Sequence, residues 1–135
     1  MYKNILVPVS FEEDRDAAGA INVARLLAGD SGKVTLLHVM EQIPGYAISY
    51  VPDNYLVESR QAIETELREM AANLPNADSQ VIDGHSGRTI LDYSEQADTD
   101  CIVIASHRPG MQDLFLGSTA AHVVRHAACA VHVIR

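Results

Sequence analysis

The 135-residue sequence predicts an α/β fold: one open, five-stranded parallel sheet with helices on both faces. Two observations predict it. Five short apolar runs alternate with four segments whose apolar residues recur at helical spacing. The first run, ILVPV, is continuous rather than alternating, as expected of a strand covered on both sides, and parallel neighbours need crossover helices between them.

The elements follow in order. ILVPV (5–9) is the first strand. Ala17, Ile21, Ala24 and Ala28 then recur at helical spacing, with Ala20 and Leu27 beside them, and Gly29 ends the pattern. VTLLHVM (34–40) is the second strand. The segment EQIPGYAISYVPD (41–53) has no period and contains Pro44, Gly45 and Pro52, so it reads as a long loop. Asp53 or Asn54 is placed to cap a helix striped by Ile63, Leu67, Met70 and Leu74. SQVID (79–83) leads through Gly84 to a helix from about Gly87 to Ala97. DCIVIAS (100–106) is the fourth strand. After a polar turn holding His107 and Arg108, Gly117 and Ser118 open an alanine- and valine-rich helix, and AVHVI (130–134) closes the sheet. No repeat, linker or low-complexity tract interrupts this beat, so residues 1–135 read as one domain.

Composition excludes several functions. A net charge of −8 argues against binding nucleic-acid backbones, which attract basic faces. An anionic ligand must instead be held locally, by backbone dipoles and a few cations. No apolar run reaches membrane-spanning length, and Met1-Tyr2-Lys3-Asn4 leads into a strand rather than a signal peptide. Cys101 and Cys129 form no CxxC, which fits two reduced thiols in the cytoplasm. Neither GxxxxGK[ST] nor GxGxxG occurs, nor the G-x-S-x-G elbow of a serine hydrolase. His122 and His126 have a zinc-compatible spacing without an evident third ligand. Glu12, Glu13, Asp14 and Asp16 cluster where negative charge offsets a helix start, a structural role.

The chemistry concentrates in 100–135. A strand, a polar loop and a helix starting at Gly117-Ser118 together make a phosphate cradle. Unpaired N–H groups at a helix start carry partial positive charge, and glycine admits an anion close to them. Taken alone, Gly-Ser is also a common helix start. His107 and Arg108 read equally as solvated loop residues, and Arg108 alternatively as a five-donor phosphate contact.

The same segment resembles the C-terminal signature of the universal stress protein family, whose ATP-binding members carry G-x2-G-x9-G-(S/T) after the fourth strand. Gly117-Ser118 and VVRHAACAVHVIR match it; Ala105 and Arg108 replace its first two glycines, and the loop before Gly117 is one residue shorter. The form ASHRP-x6-LGS is similar to one ATP-binding branch of the family. ILVPVS, VTLLHV and GHSGRTIL extend the resemblance along the chain.

The resemblance implies the strand order 3-2-1-4-5, with a ligand crevice between strands one and four. It also implies roles. Pro8, Val9 and Ser10 match positions at the adenine and ribose, and Val39 an adenine contact. Ile104, Ala105, His107 and Arg108 match the loop beside ribose and phosphates, and Gly117, Ser118 and Thr119 the phosphate cradle. Ser10 stands where many relatives have Asp, which leaves Mg2+ assistance and adenine selectivity open. The function implied is an ATP-binding regulatory or protective module of the stress response, forming a homodimer through the final strand. The alternatives are slow ATP hydrolysis, with His107 as the one candidate base, and a nucleotide-free interaction protein of the same fold. Tyr46 and Tyr50 place the long loop either as a nucleotide lid or as a plain surface loop.

Overall fold

The structure, a computed structural model, describes residues 1–11, 16–106 and 116–135. Five strands form one sheet: β1 (Asn4–Pro8), β2 (Lys33–Met40), β3 (Ala77–Asp83), β4 (Cys101–Ala105) and β5 (Ala130–Ile134). Their order is β3-β2-β1-β4-β5, and every neighbouring pair is parallel. The helices are α1 (Ala17–Ala28), α2 (Tyr55–Ala72), α3 (Ser86–Gln96) and α4 (Ser118–His126), with a single 3₁₀ turn at Ile48–Tyr50.

The inner strands β1, β2 and β4 are buried from both sides, and the alternation of their side chains builds two cores. Ile5, Val7, Val34, Leu36, Cys101 and Val103 point to one face, where α1 (Ala20, Ala24, Ala28) and α2 (Leu67, Ala71) cover them. Leu6, Leu37, Ile102 and Ile104 point to the other, under α3 (Ile90) and α4 (Ala120, Val123). The small residues of α1 bring that helix close to the sheet. Completely buried side chains such as Leu6, Leu36 and Leu67 each contribute about 1.5–3 kcal/mol of transfer free energy.

Local chemistry sets the element ends. Asp16 caps α1, its Oδ1 accepting the Gly19 N–H at 2.9 Å; Glu12, Glu13 and Asp14 lie outside the described residues. Gly29 ends α1 at φ 63°, a value that suits glycine, and donates its N–H to Arg25. At the next helix Asn54 occupies the cap position but makes no side-chain cap bond. β3 begins at Ala77, two residues before SQVID, because the ladder with β2 already pairs Val34 with Ala77. Asp100 ties the start of β4 to that of β1: its two carboxylate oxygens accept the N–H groups of Lys3 and Asn4 at 2.8 and 3.0 Å.

The crevice has a visible cause. β1 and β4 pair at Ile5–Cys101 and Leu6–Ile102, with no further ladder pair toward their carboxyl ends. Val9 donates its N–H to Leu37 on the β2 side at 2.8 Å. Strand alternation therefore points position 8 toward β4, and Pro8 has no N–H to donate there. The two strands part where the sheet's connections diverge to left and right, the place where open parallel sheets bind ligands.

Candidate functional site

A cavity of about 490 Å³ occupies that crevice, within the usual size range of small-molecule sites. Its floor is the carboxyl ends of three strands: Pro8, Val9 and Ser10 from the end of β1, Leu37 to Met40 from β2 with Glu41 just beyond it, and Ile104 and Ala105 from β4. Ala17 of α1 stands on one side, and the starts of α3 (Ser86, Ile90) and α4 (Ser118, Thr119, Ala120) on the other. Pro8, Val9, Ser10, Val39, Ile104, Ala105, Ser118 and Thr119, expected from separate stretches of sequence, thus line one cavity. Gly117, the buried N-cap of α4, is not among the lining residues, whereas Ser118 beside it is. His107 and Arg108 lie outside the described residues.

The α4 start is held by a buried serine. Ser106 is 3% exposed, and its Oγ accepts the Gly117 N–H at 3.0 Å across eleven positions of chain. Its own N–H donates to Ile134 of β5 at 2.8 Å. Ser106 therefore fastens the end of β4 to both the last strand and the last helix. Gly117 has φ −62° and ψ 158°, values open to any residue. What glycine offers here is close approach by a ligand, not relief of backbone strain. Among the described residues no side chain caps α4.

Two further side chains shape the cavity wall beside the end of β2. His38 Nδ1 donates to the Val9 carbonyl at 2.8 Å, and the ring lies 5.1 Å from Phe11, tilted by 59°. The contact pins the chain where it leaves β1. Glu41 follows β2 and caps α3: its Oε1 accepts the Ser86 hydroxyl at 2.8 Å and the Ser86 N–H at 3.3 Å. These bonds, hydroxyl first, hold the Glu41 carboxyl below its ordinary range. Sequence reading missed His38, Glu41 and Ser86. A polar residue inside the apolar run 34–40 was a signal for His38; nothing local marks Glu41, since its partner is 45 residues away.

The helix starts lie close because α3 and α4 pack tightly. A Cβ at Gly87 would sit 2.7 Å from Cδ2 of His122, so only glycine permits this approach. His122 in turn lies 4.7 Å from His126, ring centre to ring centre. Among the described residues no three His, Cys, Asp or Glu side chains converge as a metal set. Cys101 and Cys129 are free thiols raised above their ordinary range chiefly by burial, Cys101 to about 11, which makes both poor nucleophiles. Of the expected lid, Glu41 alone lines the cavity. Tyr46 and Tyr50 are 84% and 86% exposed, and Ile43 and Ile48 turn toward Leu56 and Val57 of α2 around a separate hollow.

Comparison with known proteins gives a consistent result. The model of the universal stress protein family matches residues 1–135. Universal stress protein G of Salmonella typhimurium is 30% identical over 145 aligned positions, which cover all of both chains. The solved structure of a universal stress protein from Lactobacillus plantarum has a TM-score of 0.73 at 28% identity, covering 99% of this chain and 98% of that one. The universal stress protein of Archaeoglobus fulgidus, solved in complex with dAMP, has a TM-score of 0.66 at 20% identity, covering 99% and 98%. The chain belongs to the universal stress protein family.

Proposed function

We propose that this universal stress protein binds ATP in the crevice between β1 and β4 and acts as a nucleotide-dependent regulatory or protective module. One observation carries the reading: the start of α4, which no side chain among the described residues caps, opens onto the same cavity as the apolar ends of β1 and β2. A nucleotide needs that pairing. Its phosphates suit the N–H groups of Ser118 and Thr119, while Val9, Leu37 and Val39 offer a wall for the base. The dAMP held by the Archaeoglobus fulgidus relative supports an adenine nucleotide as the ligand class. In this reading Pro8, Val9, Ser10 and Val39 face the adenine and ribose. Ile104, Ala105, His107 and Arg108 border the ribose and phosphates, and Gly117, Ser118 and Thr119 cradle the phosphates. Mg2+ enters only as a companion of the phosphates. A cytoplasmic setting suits the two free thiols.

The protomer pairs with a second copy through β5 in the same reading. β5 is an edge strand, and its Val131, Val133 and Ile134 are half-buried. Exposed apolar edges of this kind are templates for another chain.

Heating the purified native protein to release its small molecules, then weighing them by mass spectrometry, tests the ligand. Adenine nucleotide in stoichiometric amount is the expected result. No release, together with no heat of binding on titration with ATP, contradicts the proposal.

A further inference from the structure

The sheet has two open edges, β5 on one side and β3 on the other. An open edge is a row of unpaired N–H and C=O groups that another chain can extend. On β3 these groups can be named. Asn76 accepts the Val34 N–H at 2.9 Å, and Gly84 donates to Met40 at 3.0 Å. Between them the register runs unbroken from Val34–Ala77 to Met40–Asp83. Successive residues of a strand turn their backbone groups to opposite sides of it. Positions 76, 78, 80, 82 and 84 therefore face β2, and Ala77, Ser79, Val81 and Asp83 face outward.

One of these outward groups is already taken. Arg60 of α2 reaches the edge and donates through Nη2 to the Val81 carbonyl at 2.9 Å. The same guanidinium donates through Nε to Glu64 at 3.0 Å and through Nη1 to Asp83 at 2.9 Å. Three acceptors fix its position, a geometry that the single ammonium of a lysine does not reproduce. Beside it lies a polar hollow of about 240 Å³, lined by Arg60, Glu64 and Arg68 of α2 and Ser79, Gln80 and Val81 of β3. A strand added over Ser79 and Val81 has to displace the guanidinium, which strips Glu64 and Asp83 of their partner. β5 carries no such guard. Among the described residues no side chain bonds the backbone of Val131 or Val133.

We propose that Arg60 closes the β3 edge to strand addition, leaving β5 as the edge open to a second copy of this chain, so that assembly stops at two protomers. A sheet open at both edges would add a copy at each and grow into a ribbon, because pairing at one edge leaves the other free. The proposal adds to the pairing through β5 and is testable apart from it.

Sedimentation of paired variants isolates each edge. Val133→Pro disables β5 and should be monomeric at tens of micromolar, on the order of the concentrations used in sedimentation. Adding Arg60→Ala to it should give dimers through the freed β3 edge, about a doubling of mass. In otherwise wild-type protein, Arg60→Ala should form species larger than the dimer. Val81→Pro removes an outward N–H from an edge strand, where proline is tolerated, and should return those species to the dimer. Arg68→Ala takes a cation from the same hollow without uncovering Val81, and should leave association unchanged. Circular dichroism reports the fold of each variant. If Arg60→Ala does not fold, Glu64→Gln with Asp83→Asn releases the guanidinium from its two carboxylates and should produce the same association. Unchanged association in the folded variants overturns the proposal. So does an equal effect of Arg68→Ala, or a larger species that Val81→Pro leaves in place, since that association does not use the edge. A monomeric wild type contradicts the pairing through β5 alone, and a dimer formed on Arg60→Ala then still supports the guard.

Discussion

At the scale of single residues, Gly117 and Ser106 have distinct duties at the same helix start. Gly117 adopts backbone angles any residue can adopt, so its contribution is room for an anion. Gly117→Val should weaken ATP binding at least about tenfold, or about 1.4 kcal/mol, with the strands and helices retained. Calorimetry giving an unchanged affinity would remove the phosphates from α4. Ser106 acts before any ligand arrives. Ser106→Ala leaves the buried Gly117 N–H without its acceptor, which should cost about 1–3 kcal/mol of stability in urea unfolding. Ser106→Thr keeps the oxygen and should recover part of the loss; equal destabilisation by both variants would mean that packing, not the bond, is at stake. Glu41 shows why part of the site was hidden. In sequence it is one more acidic residue after a strand, and only the fold brings Ser86 to it. His38 was hidden in the same way, because its partner Val9 is 29 positions distant.

At the scale of elements, the apolar runs were the legible part. β1, β2 and β4 lie where continuous Val, Ile and Leu runs place them, because strands buried on both faces carry no polar alternation; β5, at the edge, follows from its β-branched run. The helices followed from spacing: Ala17 to Ala28 turn their small residues to the sheet as the period requires. Less legible was β3, whose first residues Ala77 and Asp78 look polar and loop-like; pairing with Val34 and Thr35 makes them strand. The second helix begins after Asn54, as its type suggested, yet without the side-chain bond that the suggestion rested on. The segment 41–52 tests element behaviour directly. It touches the cavity through Glu41 alone, with its tyrosines in solvent. If it closes on nucleotide, amide hydrogen exchange across 41–52 should slow when ATP is added. Identical protection with and without ATP would leave it a surface loop.

At the scale of the whole molecule, the sheet order joins site and assembly. One consequence of β3-β2-β1-β4-β5 is the divergence of connections beside β1; another is that β5 lies at an edge. Ile134 accepts from Ser106 on the β4 side, so alternation turns the backbone groups of Val133 outward. Val133→Pro removes a donor that β4 does not use and a second copy would. We expect a wild-type dimer at tens of micromolar, on the order of the concentrations used in sedimentation, and a shift of Val133→Pro to monomer with its sheet intact. A monomeric wild type would contradict the pairing through β5.

The central claim is that separate stretches of chain meet in one crevice to hold an adenine nucleotide. The most direct measurement is the amide spectrum of labelled protein as ATP is added. Peaks of Val9, Ser10, Val39, Glu41, Ala105, Ser118 and Thr119 should move together with one affinity, while those of Arg68 and Gln80, remote from the cavity, stay fixed. Saturable movement confined to residues outside the crevice, or no movement at millimolar ATP on the order of cellular levels, would contradict it.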